Sequence, residues 1–234
     1  MSTFVLVHGG WRGGWTYRRT VDLLRGLGHT VFAPSLAGSG EHHHLLSGDI
    51  SLSTHITDIV HLIEFEDLTS VVLVGHSYGG MVITGVADRV PDRIRELVYL
   101  DAVVPTDGQS FLDVYPVMTE SFLGAAADNK GLYVDPMPSA LFGDNEADQA
   151  YIDQRCTPFP LRGATEKLTL SNNVDLTRFR RTYVLAEGWD PNPYRDNRER
   201  LADDPSWDFF SVDCGHDIMM NEPQFLVDTL LRTN

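Results

Sequence analysis

The strongest constraint on the fold is a G-x-S-x-G motif at residues 75–79. A fully apolar run at residues 71–74 precedes it, and a helical pattern at residues 80–89 follows it. A chain that passes this abruptly from a buried strand into a helix must turn sharply, which strains the backbone of the central residue. Glycine is needed on both sides because a Cβ atom there would collide with the opposite arm of the turn. We therefore expect the hydroxyl of Ser77 to be exposed at the carboxyl edge of a sheet.

Short apolar runs alternate with longer amphipathic stretches along the chain. Runs of this kind are typical of a parallel sheet covered by helices on both faces. We predict an α/β fold, with a mostly parallel sheet of about six strands, as a single domain over residues 1–234. The predicted strands lie at residues 4–7, 30–33, 71–74, 97–100, 183–185 and 207–212, and the predicted helices at residues 17–27, 53–65, 80–89, 194–201 and 223–231.

A long irregular segment, at about residues 103–181, separates the fourth predicted strand from the fifth. An excursion of this length at the active edge of a sheet is the expected place for a helical cap. Its aromatic and methionine side chains would line an apolar pocket, although packing within the cap explains many of them equally well. We predict that substrate contacts come from Trp11, Tyr78, Phe111, Tyr115 and Phe142.

Composition and charge exclude several kinds of partner. Hydrophobic residues make up 42% of the chain and charged residues 22%, which is ordinary for a globular domain. With 18 basic residues against 33 acidic ones, a nucleic-acid partner is excluded. We find no signal peptide, no apolar run of the roughly 18 residues that span a membrane, and no disulfide framework in two cysteines. We expect a cytoplasmic protein with a small-molecule substrate and no membrane partner, and leave a homodimer open.

The best candidate for a base is His216. A serine hydroxyl is a weak nucleophile until a base takes its proton. His216 lies between the last predicted strand and the final helix, in a loop at the same edge of the sheet as the motif. The other histidines fit less well, because His76 should point away from the serine and His55 and His61 lie at surface positions of a predicted helix.

Two aspartates could orient the imidazole, and both give the chain order Ser, Asp, His. Asp101 stands immediately at the end of the fourth predicted strand, beside the strand of the motif. Asp190 stands five residues beyond the fifth strand and is followed by Pro191, which indicates a wider turn. We favour Asp101 and keep Asp190 as the alternative.

A glycine-rich loop at residues 8–15 follows the first strand. A developing oxyanion needs about two backbone N–H donors. We expect them from Gly10 in this loop and from Tyr78, the residue after the serine. The loop lacks the G-x-G-x-x-G spacing and the Lys-Ser/Thr pair of phosphate-binding loops, so we expect no cofactor. Three consecutive histidines at residues 42–44 point in different directions, which favours a solvated loop and no metal site.

Residues 5–15, 73–81 and 215–219 together resemble the α/β-hydrolase superfamily. More narrowly, they are similar to the small methyl-esterase and hydroxynitrile-lyase group and its bacterial relatives. The resemblance spans nearly the whole chain, with the central segment matching least. It implies an α/β-hydrolase fold with a helical cap over the site.

The chain departs from this group at three points. The lyases carry a hydroxylated residue after the first-strand histidine, where this chain has Gly9, and a lysine after the catalytic histidine, where it has Asp217. A lyase needs that cation to stabilise departing cyanide, so cyanohydrin cleavage is disfavoured. The esterases of the group usually place the acid after the later strand, which would favour Asp190, but the match at residues 187–191 is poor. Some other α/β-hydrolases place the acid after the earlier strand, which would be Asp101.

We therefore predict a cofactor-free serine hydrolase. It would cleave a small or medium apolar or aromatic carboxylic ester through an acyl-enzyme, with a carbamate or a lactone as alternative substrates. The rival hypotheses are a lyase or a cofactor-free oxygenase on the same scaffold, and a non-catalytic small-molecule binder.

Overall fold

Six strands form one parallel sheet in a computed structural model of the chain, which describes residues 1–170, 174–201 and 203–232. This sheet confirms the predicted α/β fold class. In chain order, the strands are β1 (Thr3–Val7), β2 (Thr30–Phe32), β3 (Val71–His76), β4 (Ile94–Leu100), β5 (Tyr133–Val134), β6 (Phe159–Pro160), β7 (Arg180–Ala186) and β8 (Trp207–Val212).

The strand order of the main sheet is β2-β1-β3-β4-β7-β8, and every neighbouring pair is parallel. Strands β5 and β6 form a separate antiparallel pair. Every residue of the central strand β3 is buried, which is typical of a strand covered on both faces. The carboxyl ends of β1, β3 and β4 therefore lie side by side, and the loops that follow them meet at one edge.

Helices cover the sheet in two groups, with α1 packed against α10 and α2 packed against α3. The helices are α1 (Arg18–Gly26), α2 (Leu52–Phe65), α3 (Gly79–Arg89), α4 (Phe111–Val114), α5 (Thr119–Asp128), α6 (Glu146–Asp153), α7 (Leu161–Thr165), α8 (Asp196–Leu201), α9 (Ile218–Asn221) and α10 (Pro223–Arg232). None of the helices in the described ranges is long and apolar enough to cross a lipid bilayer.

Several predicted boundaries differ from the structure, among them the starts of β4, β7 and α8. Strand β4 begins three residues earlier than predicted, because Glu96 is buried within it and accepts a hydrogen bond from Thr182 at 3.0 Å. Helix α8 begins at Asp196, later than the predicted start, because the chain first makes a turn in which the N–H of Tyr194 donates to Asn192 at 2.7 Å.

The segment between β4 and β7 contains α4 to α7 and the small β5–β6 pair, and we interpret it as the cap. Several hydrogen bonds tie it to the loop after β1, and two of them involve Trp11. The indole N–H of Trp11 donates to the carbonyl of Val134 at 2.9 Å, and the N–H of Thr157 donates to the carbonyl of Trp11 at 3.0 Å. The cap and the glycine-rich loop therefore form one continuous wall.

Candidate active site

The turn between β3 and α3 holds Ser77 in a left-handed conformation, with φ of 54°. A Cβ atom on Gly75 would lie 2.6 Å from the carbonyl oxygen of Gly79, and one on Gly79 would lie 2.7 Å from that of Val7. These contacts explain why the turn carries glycine at both positions. The strained serine is at the carboxyl edge of the sheet, as the sequence predicts.

The imidazole of His216 is paired with Asp101 across two loops of this edge. His216 Nδ1–H donates to Asp101 Oδ2 at 2.7 Å, and both side chains are buried. The same carboxylate accepts the indole N–H of Trp189 at 3.0 Å and the backbone N–H of Ala186 at 3.2 Å. These bonds fix the carboxylate, and they leave Nε2 of the imidazole as the nitrogen that can accept a proton.

The alternative acid, Asp190, is not in contact with the imidazole. Its side chain is largely exposed, and its carboxylate forms an ion pair with Arg195 at 2.9 Å. The turn at residues 190–191 directs this carboxylate toward solvent. Of the two aspartates that the sequence leaves open, the geometry therefore favours Asp101.

The hydroxyl of Ser77 lines the same cavity as His216, but its hydrogen bond is made with a different group. Within the described part of the chain, Ser77 Oγ pairs with the hydroxyl of Tyr194 at 3.1 Å, and the expected bond to the imidazole is not formed. The ring of Tyr194 lies nearly parallel to that of His216, with centroids 5.4 Å apart, which brings its hydroxyl to the serine. Bonds between a nucleophile and its base often tighten only when substrate binds.

Gly10 and Tyr78, the two expected oxyanion donors, also line this cavity. Tyr78 directly precedes α3, whose first N–H groups have no acceptor within the helix. The loop that carries Gly10 is braced by His8, whose Nε2 accepts the N–H of Leu36 at 3.0 Å and whose Nδ1–H donates to Gly9 at 2.8 Å. Burial lowers the pKa of His8 to about 4, so the ring stays neutral and keeps this arrangement.

The departure at Gly9 has a steric reason in this chain. A Cβ atom at this position would lie 2.7 Å from the Cβ of Ser77. Real Cβ atoms essentially never approach so closely, so a side chain at this position would push the loop away from the serine.

The cavity has a volume of about 460 Å³, and its wall is mostly apolar and includes several aromatic side chains. Four of the five predicted contact residues line it, namely Trp11, Tyr78, Phe111 and Phe142. Other residues of the wall were not among the predicted contacts, and they include Arg12, Trp189, Asn192 and Tyr194. Three of these follow the carboxyl end of β7, and that position at the active edge was the signal that could have identified them.

The fifth predicted contact residue, Tyr115, is not among the residues that line the cavity. Its ring packs edge-on against Tyr194, with centroids 5.0 Å apart, and its hydroxyl accepts a hydrogen bond from Asn197 at 3.2 Å. Tyr115 is the residue at which α4 ends, and there it faces the interior beneath the cavity wall. It therefore supports a residue of the wall and is not part of it.

The prediction of a surface position for His55 is also wrong. The side chain is completely buried, with Nε2–H donating to the carbonyl of Ala37 at 3.0 Å and Nδ1 accepting the hydroxyl of Tyr78 at 2.9 Å. Burial lowers the pKa of His55, and the neutral ring fits this pattern of one donor and one acceptor. His55 thus fixes the ring of Tyr78 in the cavity wall.

A buried charge cluster lies behind the loop of His216. The guanidinium of Arg12 donates from Nε to Asp217 Oδ2 at 2.9 Å and lies 3.6 Å from Asp144. Burial disfavours the charged form of Asp217, but Arg12 overrides it and holds the pKa of this carboxyl below its ordinary range. Asp217, which stands where the lyases have a lysine, therefore holds the loop in place through a buried ion pair.

Asp144 is the second carboxylate beside a single guanidinium. Burial, together with the charge of Asp217, raises the pKa of Asp144 to about 8. The neighbouring cap residue Phe142 accepts the backbone N–H of His216 at 2.8 Å. Asp144 is only two positions from Phe142 in the chain. The protonated carboxyl therefore lies where the cap contacts the loop that carries the imidazole.

Replacing Asp144 with asparagine is expected to make stability less sensitive to pH between about 4, where an ordinary aspartate titrates, and about 8. The raised pKa means that the folded chain keeps a proton that the unfolded chain releases. The free energy of unfolding of the unmodified protein therefore falls as pH rises through this window, by at most about 1.4 kcal/mol per pH unit from this group. Urea unfolding of both proteins at several pH values measures the difference.

The matched control is Asp92→Asn, because Asp92 is an exposed aspartate that pairs with Arg178 at 3.1 Å. The free energy of unfolding of Asp92→Asn should change with pH in the same way as that of the unmodified protein. If the free energy of unfolding of Asp144→Asn depends on pH as that of the unmodified protein does, the raised pKa of Asp144 is contradicted.

The histidines at residues 42–44 lie in the 3-10 helix Gly40–Leu45, and each ring is within hydrogen-bonding distance of a nearby backbone carbonyl. Across the three described ranges, no group of three or more His, Cys, Asp or Glu side chains is arranged to hold a metal ion.

Comparisons with known proteins agree with this geometry. A model described as the alpha/beta hydrolase family matches residues 4–229. The carbendazim hydrolyzing esterase of Nocardioides sp. (strain SG-4G) is 41% identical, over 98% of this chain and 98% of its own length. Salicylic acid-binding protein 2 of Nicotiana tabacum is 33% identical over 66% of this chain and 62% of its own length.

Among solved structures, an extracellular alpha/beta-hydrolase from a Paenibacillus species superposes with a TM-score of 0.86 at 27% identity. The match covers 100% of this chain and 99% of the other. The family model and the 41% identical esterase both extend over nearly the whole chain. The chain therefore belongs to the alpha/beta hydrolase family and is a carboxylic ester hydrolase within it.

Proposed function

We propose that the chain hydrolyses small or medium aromatic esters through an acyl-enzyme on Ser77. The observation that carries the proposal is the bond of 2.7 Å between His216 Nδ1 and Asp101, at the edge where the strained serine lines an apolar cavity. His216 takes the proton of Ser77 as the hydroxyl attacks the carbonyl carbon, and returns it to the leaving alcohol. Water then cleaves the acyl-enzyme by the same route.

The negative charge on the carbonyl oxygen is stabilised in this proposal by the N–H groups of Gly10 and Tyr78. Both lie in the wall of the cavity that holds the serine. Preorganised donors of this kind typically contribute about 10²- to 10³-fold each to the rate. Asp101 stabilises the imidazolium that forms when the base is protonated, because the carboxylate is already bonded to its Nδ1–H.

The shape and polarity of the cavity support an uncharged aromatic substrate. A volume of about 460 Å³ is in the lower part of the range for small-molecule sites. The positive charge of Arg12 is already balanced by Asp217, so it offers little attraction to an anionic substrate. Methyl esters of aromatic acids fit this cavity, and carbendazim is the obvious first compound because a relative is a carbendazim hydrolyzing esterase. Carbamates and lactones remain alternative substrates.

The test combines turnover with detection of the intermediate. Purified protein is assayed on a methyl benzoate, a matched methyl N-aryl carbamate, an aryl lactone and carbendazim. A 4-nitrophenyl ester is then used for rapid quenching, and mass spectrometry identifies the acylated peptide. We expect hydrolysis of the aromatic methyl ester or carbamate and an acyl adduct on Ser77. Hydrolysis without an adduct on Ser77, at quench times shorter than one turnover, would contradict the mechanism.

A further inference from the structure

Among the described residues, Tyr194 is the one whose side chain makes a hydrogen bond with the hydroxyl of the candidate nucleophile. It lies 3.1 Å from Ser77 Oγ, and its ring lies at 8° to the plane of the His216 ring. The ring of the tyrosine therefore stacks on that of the base while its hydroxyl reaches the serine. The oxyanion donors of the proposed mechanism come from two other loops, those of Gly10 and Tyr78.

Several contacts hold Tyr194 in place. Its side chain is buried, its backbone N–H donates to Asn192 Oδ1 at 2.7 Å, and the amide of Asn192 reaches Asp101 at 3.4 Å. Tyr115 supports the ring from below. The position of the hydroxyl is thus tied to the carboxylate that bonds the imidazole, as expected for a group that has to be held accurately.

The direction of the hydrogen bond follows from acidity. A phenol is a stronger acid than an alkyl hydroxyl, so Tyr194 donates and Ser77 accepts. Burial raises the pKa of Tyr194 well above its ordinary value of 10.0, so the phenol keeps its proton throughout the working range of the enzyme. The hydrogen of Ser77 is then left for Nε2 of His216.

We propose that Tyr194 is a catalytic residue that donates a hydrogen bond first to Ser77 and then to the leaving group. This inference rests on the proposed acyl-enzyme mechanism. As Ser77 Oγ bonds to the carbonyl carbon it becomes an ester-type oxygen and a weaker acceptor. The leaving heteroatom must face His216, which protonates it, and it therefore faces Tyr194 as well.

The protons balance in this sequence. The proton of Ser77 passes to His216 Nε2 when the C–O bond to the serine forms. It passes to the leaving heteroatom when the bond between that atom and the carbonyl carbon breaks. The proton of Tyr194 stays on the tyrosine, which contributes only a hydrogen bond to the developing negative charge.

The contribution should depend on the leaving group. A leaving alkoxide such as methoxide develops a localised charge, whereas 4-nitrophenoxide disperses its charge and needs little help. Hydrogen bonds to charged groups contribute about 1.5–3 kcal/mol, which corresponds to roughly 10- to 100-fold in rate. The enzyme is thereby adapted to esters and carbamates with basic leaving groups, methyl esters above all.

The experiment compares Tyr194→Phe with the unmodified protein on two esters that share one aromatic acyl group, the methyl ester and the 4-nitrophenyl ester. We expect kcat/KM to fall roughly 10- to 100-fold on the methyl ester and by less than about threefold on the 4-nitrophenyl ester. The control is Tyr115→Phe, which also loses a buried hydroxyl but lies beneath the wall. It should change the two rates by the same factor.

Two readouts separate this inference from the mechanism on which it rests. If the unmodified protein forms no adduct on Ser77 with the 4-nitrophenyl ester, the mechanism and the inference both fail. If the adduct forms but Tyr194→Phe loses the same factor on both esters, or nothing on either, only the inference fails. Circular dichroism and thermal unfolding confirm that the variants are folded.

Discussion

Replacing Ser77 with alanine should lower kcat on an aromatic ester by about 10⁶-fold, if serine, base and acid act as a unit. The change removes the atom that attacks the carbonyl carbon, and the nearby hydroxyl of Tyr194 does not replace it, since burial raises its pKa and it keeps its proton. What remains is the contribution of substrate positioning and the backbone donors, which is about 10³- to 10⁴-fold over water. Substrate binding should change little, so the loss should appear in kcat.

The measurement is steady-state turnover of purified Ser77→Ala, together with labelling by a fluorophosphonate, which reacts with activated serines. The variant should take up no label. Ser47→Ala is the control, because Ser47 is exposed in a loop and lies outside the cavity wall. It should keep both turnover and labelling. A Ser77→Ala protein with near-normal turnover would require another nucleophile.

The fold was predictable because its signals are local. An apolar strand that is buried throughout, as β3 is, needs no knowledge of its neighbours to be recognised. The turn around Ser77 is equally local, since the collision that excludes a Cβ at Gly75 is with Gly79 only four residues away. The parallel direction of the strands then follows from the alternation of strands and helices, whereas their order in the sheet was not predicted.

The choice between Asp101 and Asp190 needed coordinates. Both residues follow a strand of the sheet, and the sequence contains no direct measure of where a carboxylate points after its turn. The difference arises because Trp189 turns its indole N–H to Asp101, while Asp190, the next residue, faces solvent and Arg195.

Contacts between distant parts of the chain were beyond sequence reasoning for a similar reason. Arg12 and Asp217 are 205 residues apart in the chain, but Arg12 Nε lies 2.9 Å from Asp217 Oδ2. Tyr115 and Tyr194 are both buried tyrosines at this edge, and only packing decides that one lines the cavity while the other supports it. Such choices depend on how the cap sits over the sheet, and no periodicity in the sequence records that.

Replacing Asp101 with asparagine should lower kcat by about 10⁴-fold, whereas Asp190→Asn should stay within about threefold of the unmodified protein. Asparagine keeps the size of the side chain and the acceptor for one N–H group. The carboxylate of Asp101 accepts the N–H of His216 Nδ1. The amide of asparagine can instead donate an N–H to that nitrogen. The imidazole would then hold its proton on Nε2, the nitrogen that has to accept the proton of Ser77.

The two variants form a matched pair, since each removes one negative charge from an aspartate in a loop that follows a strand of the same sheet. Steady-state kinetics on one chromogenic aromatic ester measure both, and the pH profile adds an independent readout. The kcat of Asp101→Asn should rise more steeply with pH in alkaline solution, because hydroxide can then do part of the work of the disabled base. A large loss in Asp190→Asn with little change in Asp101→Asn would mean that the loop after β7 rearranges to bring Asp190 to the imidazole during turnover. The buried bond between His216 and Asp101 argues against that rearrangement, since it would leave the carboxylate of Asp101 buried without the proton donor that now faces it.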